Sequence, residues 1–119
     1  MPEETKPIVS KEEIFDKLEI RLGRVLSVAL AEGTPKPAYV IKADFGKFGV
    51  RTSVGRFTKH SPEELVDKLI LGVLNFAPRQ VGTTLSEFLS LGVQYPKADS
   101  GEATIITSLA NAKVGSKLF

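Results

Sequence analysis

The sequence predicts an all-β domain: a small barrel of five or six short antiparallel strands, with one short helix ahead of it and a second inserted between the third and fourth strands. Three observations predict it. Apolar residues alternate, or run together over short spans, at 19–31, 38–45, 50–54, 69–76 and 103–109, the patterns of half-buried and fully buried strands. Glycine- and proline-bearing turns separate these spans. Only two stretches carry helix-start signals, and both are short.

Residues 1–9 hold two prolines and little apolar content, so a mobile N-terminus is expected ahead of a single domain over 10–119. Ser10 and Glu13 form an S-x-x-E capping box that starts a helix over about 11–17, with Ile14, Phe15 and Leu18 on its apolar side. So short a helix cannot stand alone and must dock on the barrel or on a second subunit. In 19–31, Ile20, Leu22, Val25, Leu26, Val28 and Leu30 are strand residues, and Gly23 marks an expected bulge or bend. The loop 32–37 follows. In 38–45, Tyr39, Ile41, Ala43 and Phe45 alternate against Val40, Lys42 and Asp44, a strand with one wet face. The GKFG run at 46–49 turns the chain back into 50–54.

Residues 55–60 are irregular and basic. Ser61 as N-cap, Pro62 at the first helical position and Glu64 closing the box start the second helix, expected to end near 68. The apolar run 69–76 reads as a buried strand, and Pro78, with no N–H to donate, ends its ladder. Arg79 and Gln80 open a loop through Gly82. The chain turns apolar again at Leu85, carrying Ser86 and Glu87 with it. A turn-rich connection at 95–102 leads to the last strand, and the tail 110–119 ends in Leu118 and Phe119, which should pack against something. The strand count with its inserted helix is the layout of the OB-fold, a partly open five-stranded barrel. Other small barrels share the count, and a fold alone does not fix a function.

Composition narrows the function classes. At 119 residues, 42% hydrophobic and 25% charged, the chain is an ordinary single domain. No apolar run approaches the roughly 18 residues of a membrane helix. The opening MPEETKPIVS has no apolar core of a signal peptide, and with no cysteine disulfides, thiol catalysis and cysteine-ligated zinc are excluded; a cytoplasmic protein is expected. His60 is the single histidine, so neither a histidine metal site nor a two-histidine relay can be built. Gly46 and Gly49 lack the Lys-Ser/Thr partner and following helix of a phosphate loop. The expectation is a non-enzymatic protein with no catalytic residue, metal or cofactor.

Net charge is +2, but its distribution is uneven. Residues 1–31 carry five Lys/Arg and six Asp/Glu, as do residues 61–119, giving −1 each. Residues 32–60 carry Lys36, Lys42, Lys47, Arg51, Arg56 and Lys59 against Glu32 and Asp44, giving +4. A local basic field attracts polyanions even on a nearly neutral molecule; the alternative is a solvated strand face. A second polar group, Asn75, Arg79, Ser86 and Glu87, is expected around one loop between two apolar strands, where sites on rigid scaffolds sit. Ser86 and Glu87 could equally satisfy backbone donors in a tight turn.

The run NFAPRQVGTTLSEFLSLG, 75–92, resembles the N-x-x-P-R/K…S-E signature of the tRNA-binding OB domains appended to methionyl- and phenylalanyl-tRNA synthetases. Within that family the chain is most similar to the CsaA-like secretion chaperones. The opening FDKLEIRLGRV, KPAY at 36–39, DFG at 44–46, TKH at 58–60 and the closing VGSKL carry the likeness in order. The resemblance implies an OB barrel with terminal extensions that contribute to a homodimer contact. It also implies that Asn75, Arg79, Ser86 and Glu87 line an RNA-facing loop: Arg79 meets phosphate or a base edge, while Ser86 and Glu87 orient the loop. Lys36 and Tyr39 would engage a backbone and a base, with Arg51, Arg56 and Lys59 adding positive charge. The family's S-E-G-M is here Ser86-Glu87-Phe88-Leu89, which narrows any pocket beside Glu87, and the basic tails of dedicated tRNA binders are missing.

Two functions follow as expectations. One is a non-enzymatic module that binds tRNA or other structured RNA by shape. The other is an export-related chaperone that binds unfolded preproteins through apolar residues near the basic loops, among them Tyr39, Phe48, Phe57 and Phe76, of which Phe76 is expected to pack in the core. A domain that only holds a partner enzyme is the third possibility. No membrane insertion is expected.

Overall fold

A computed structural model describes residues 2–97 and 101–119. Residues 2–10 are exposed and form neither helix nor strand. The first helix, α1 (Lys11–Ile14), runs into a 3-10 turn over Phe15–Lys17. The Ser10 hydroxyl accepts from the Glu13 amide at 3.3 Å, but it donates to Glu12, so only half of the expected box forms. Nothing on α1 is buried and Ile14 is exposed; Phe15 and Leu18, half-buried, make the attachment.

Strand β1 (Ile20–Leu30) is the centre of the barrel. Its first half pairs antiparallel with β4 (Leu69–Val73) and its second half with β2 (Tyr39–Asp44), the two ladders overlapping at Arg24. One strand serves both partners because it bends. The register slips between Val25 and Ser27, so the bulge falls beyond Gly23 and corrects the sequence expectation. Val25 uses its backbone there to accept from the Asp67 amide and donate to the Lys68 carbonyl, both at 2.9 Å. Gly23 has another reason. A Cβ on it would lie 2.6 Å from Phe45 Cε1, and one on Gly72 would lie 2.8 Å from Phe45 Cζ. The two glycines open a slot for the Phe45 ring, which is fully buried and meets Phe88 edge-on at 4.9 Å. Val25, Ile41, Ala43, Phe57, Leu65, Ile70 and Leu74 complete the core.

A 3-10 turn over Gly46–Phe48 joins β2 to β3 (Val50–Gly55). Helix α2 (Pro62–Leu65) shows the full expected capping box between Ser61 and Glu64. It stops short of 68 because Val66, at ψ 137°, is already extended, and Asp67, at φ 70°, is captured with Lys68 by the β1 bulge. Its buried Leu65 packs into the core. Strand β4 ends at Val73, not 76, since the Leu74 amide donates to Glu19.

The stretch expected as a loop after Pro78 is itself a hairpin, β5 (Arg79–Val81) against β6 (Thr84–Ser86), turning at Gly82 with φ 58°. Strand β7 (Leu89–Ser90) then returns onto β4, giving a five-stranded sheet in the order β3-β2-β1-β4-β7. The seam between β3 and the β6–β7 segment is stitched. The Glu87 amide donates to the Thr52 carbonyl at 2.7 Å, the Thr52 amide to Glu87 Oε1 at 2.9 Å, and the Val54 amide to Ser86 Oγ at 3.3 Å. The result is the nearly closed barrel of an OB-like fold.

Strands β8 (Gly92–Gln94) and β9 (Ala103–Ile105) form a separate hairpin. The last strand therefore ends at Ile105 rather than 109. Within the turn expected at 95–102, residues 98–100 lie outside the described residues. The tail packs along β1: Leu22 donates to the Ser116 carbonyl at 2.9 Å, Gly115 to the Leu22 carbonyl at 2.7 Å and Leu118 to the Ile20 carbonyl at 3.1 Å. Phe119 is exposed. Among the described residues no helix is long and apolar enough to cross a membrane.

Candidate nucleic-acid interface

Closing the barrel by side-chain stitches leaves a groove along the seam. It holds about 650 Å³ and is walled by Thr34 to Lys36 from the β1–β2 loop, Val54 to Arg56 at the end of β3, Arg79 and Val81 on β5, and Leu89 to Gly92. A smaller cleft of about 170 Å³ shares Val54, Arg79, Val81 and Leu89 with it and reaches Phe76. The floor is therefore apolar and elongated, with cationic side chains along it.

Two loops form the wall, and they are locked together. The Thr83 amide donates to the Glu32 carbonyl at 3.1 Å, and a Cβ on Gly82 would strike that carbonyl oxygen. Only glycine allows so close an approach at a positive φ. Arg79 is exposed, as is Lys36, and neither side chain makes a hydrogen bond or ion pair among the described residues. Arg56 differs. Its Nη2 donates to Glu102 Oε1 at 3.0 Å and its Nε to the Pro37 carbonyl at 3.2 Å, while Glu102, 5% exposed, also accepts from the Thr58 hydroxyl at 2.6 Å. Arg56 thus ties the β1–β2 loop to β9.

The structure places the residues singled out in the sequence in different roles. Arg79, Lys36 and Arg56 line one groove. Tyr39 is buried and donates its hydroxyl to the His60 carbonyl at 2.7 Å; inward alternation on β2 makes it a core residue, not a stacking platform. Arg51 is spent on the Phe48 and Leu74 carbonyls, at 3.3 and 3.1 Å. Asn75 bridges the Glu19 amide and the Lys17 carbonyl at 2.7 and 2.8 Å, fixing the entry of β1 against the exit of β4. Ser86 and Glu87 supply the seam's missing partners, which is the backbone-satisfying alternative. Lys59 is exposed and lines neither the groove nor its extension.

The +4 stretch is not one patch. Strands β2 and β3 form a hairpin, so Lys36 and Arg56 come together at its open end while Lys47 lies at its turn, beyond Phe45. Of the expected apolar contacts, Phe57 is buried, whereas Phe76, expected in the core, is 48% exposed. Leu89 and Val81 were not singled out in the sequence. The Gly82-Thr83 pair between Val81 and Thr84 is a two-residue hairpin signal that could have located this wall.

His60 stands apart from the groove lining. It contacts the Thr104 hydroxyl at 2.9 Å, Glu64 at 3.6 Å and the Tyr95 ring edge-on. The Ser61 amide, and then His60, hold the Glu64 carboxyl below the usual carboxylate range.

No protein-family model matches the chain. The methionine–tRNA ligase of Pyrococcus horikoshii is 33% identical over 110 residues, 91% of this chain and 14% of that enzyme. That of Phocaeicola vulgatus is 35% identical over 116 residues, 95% of the chain and 16% of the enzyme. The chain thus spans only about a seventh of the length of these curated relatives. Among solved structures, the chaperone CsaA of Bacillus anthracis matches with a TM-score of 0.84 at 29% identity, over 94% of this chain and all 100% of that one. The CsaA chaperone protein of Picrophilus torridus matches at 0.83 and 29% with the same coverage. A protein related to methionyl-tRNA synthetase from Pyrococcus horikoshii matches at 0.80 and 23%, over 96% of this chain and 100% of that one, a likeness of fold. Like these neighbours along almost its whole length, and like one segment of the ligases, the chain is a CsaA-like OB domain of the tRNA-binding-domain type.

Proposed function

We propose that the domain is a non-enzymatic binder of tRNA or similarly folded RNA, acting through the seam groove. One observation carries the reading: Arg79 and Lys36 line a single pinned groove, and no side chain among the described residues answers their charges. Cations held without a carboxylate are available to phosphate. Arg79 contacts the RNA backbone or a base edge, Lys36 the backbone, and Arg56 positions the loop that carries Lys36. Phe76, exposed at the far end, is the ring on which an unpaired base stacks, worth about 1–3 kcal/mol. Asn75, Ser86, Glu87 and Tyr39 act behind the surface by holding its shape. The domain works in the cytoplasm as a homodimer whose contact uses the exposed Ile14 of α1 and the exposed Phe119 of the tail.

The test is a filter-binding titration with bulk tRNA across a salt series. Binding whose logarithm falls linearly with the logarithm of salt supports the reading. Negligible binding at low salt, or binding indifferent to salt, removes it.

A second reading has its own observation. Phe76 and Leu89 are each about half exposed, Leu89 on the groove wall and Phe76 in the adjoining cleft, an apolar surface suited to an extended polypeptide, and two solved neighbours are described as chaperones. Suppression of the aggregation of a denatured client would support a chaperone role. No effect at several-fold molar excess counts against it.

A further inference from the structure

At the opposite end of the barrel is a second cleft of about 350 Å³, lined by Arg21, Gly46, Lys47, Lys113, Val114, Gly115 and Ser116. Three of these seven residues are cations and none is an acid. It stands well apart from the groove: Arg21 is at the start of β1 and the groove's loop follows the end of β1, with up to about 30 Å of strand between them.

The cleft is built rather than incidental. The Gly46 and Gly115 backbones interlock: a Cβ on Gly46 would lie 2.9 Å from the Val114 carbonyl oxygen, and one on Gly115 would lie 2.9 Å from that of Phe45. Both glycines have positive φ, 64° and 87°. Arg21 is held in place by Glu19 at 2.7 Å, by its donation to the Gly115 carbonyl at 3.2 Å, and by the Phe48 ring, 4.7 Å from its guanidinium carbon. The same ring carries the Lys47 ammonium at 5.5 Å from its centroid. Two cations are thus gathered on one aromatic ring. Glu19 answers the charge of Arg21; Lys47 and Lys113 have no carboxylate partner among the described residues.

Holding like charges together without an anion is unfavourable, and more so where a cleft wall excludes water. The geometry points to a second phosphate-binding site here, formed by Arg21, Lys47, Lys113 and the Ser116 hydroxyl. It rests on the RNA reading for its physiological ligand: a backbone phosphate of the RNA whose other contacts lie in the groove. Lys47 and Lys113 are the points of direct contact, and Arg21, already paired, shapes the pocket.

Two measurements test it. Inorganic phosphate is titrated into the isotopically labelled protein, with amide shifts followed by NMR. Saturable shifts centred on Gly46, Lys47 and 113–116 are expected. In parallel, Lys47→Ala/Lys113→Ala is compared with Lys42→Ala/Lys68→Ala, which removes the same charge from exposed lysines outside both clefts. The cleft variant should weaken tRNA binding across all tRNA sequences and lower the salt slope by about 2, with thermal stability unchanged; the control should do neither. RNA binding with neither phosphate shifts nor any difference between the two variants overturns the cleft and leaves the groove standing. No RNA binding by the wild type, with saturable phosphate shifts intact, overturns the groove and supports the cleft as a site for small phosphates.

Discussion

Replacing Glu87 separates a stitch from a contact. Its Oε1 accepts from the Thr52 amide at 2.9 Å, and its own amide donates to the Thr52 carbonyl at 2.7 Å. Glu87→Ala leaves the second bond but strands the Thr52 N–H in a half-buried seam. An orphaned buried donor costs about 1–3 kcal/mol. For 119 residues, with an unfolding entropy of about 2.1 cal/mol/K per residue, 1 kcal/mol moves Tm by about 4 °C, so a fall of about 4–12 °C is expected. Glu87→Gln keeps an acceptor oxygen and should lose less than half as much. The assay is thermal unfolding by circular dichroism, paired with tRNA binding well below the transition. Alanine should lower Tm and leave binding at low temperature within about twofold. Loss of binding with Tm unchanged would show that Glu87 meets RNA directly and would refute the stitch.

Arg79→Ala should weaken tRNA binding and lower the salt slope by about 1 with Tm unchanged, because the side chain has no partner among the described residues; unfolding of the variant would mean that Arg79 is structural. Gly23→Ala and Gly72→Ala each drive a methyl group into the Phe45 ring and should cost about 1–3 kcal/mol in urea unfolding, and no loss would show that the slot can relax. Because Glu64 titrates lower in the folded chain than in the unfolded one, its contribution is present above the unfolded value and is lost as pH falls through the folded value. Stability measured down an acid series should therefore fall less steeply in Glu64→Gln than in the wild type. Phe76→Ala should reduce base stacking or client capture without lowering Tm, which would fall only if the ring were packed in the core.

Much of the barrel was legible because its code is local. Alternation in 38–45 placed Ile41, Ala43 and Phe45 inward, and Ser61-Pro62-Glu63-Glu64 set the start of α2 to the residue. The failures came where distant segments decide. Gly23 reads as a bulge, but its partner is Phe45, twenty-two positions on, and the bulge was drawn instead by Asp67 and Lys68. The helix at 62 stops early for the same reason. The groove was partly legible: Arg79, Lys36 and Arg56 meet there, but Tyr39 belongs to the core by the very alternation that identified its strand. A count of charge along the chain could not show that a hairpin sends Lys36 and Lys47 to opposite ends. Ser86 and Glu87 look like site residues in sequence because a polar pair among apolar neighbours reads the same whether it faces a ligand or a bare backbone edge.

The most direct test of the account is an NMR titration of the labelled protein with unmodified tRNA, read residue by residue. The account predicts that the largest amide changes fall on 34–36, 54–56 and 79–81, with Arg79 side-chain signals moving among them. Changes confined to the outward face of β2, or none at all at concentrations that saturate other tRNA binders, would contradict it.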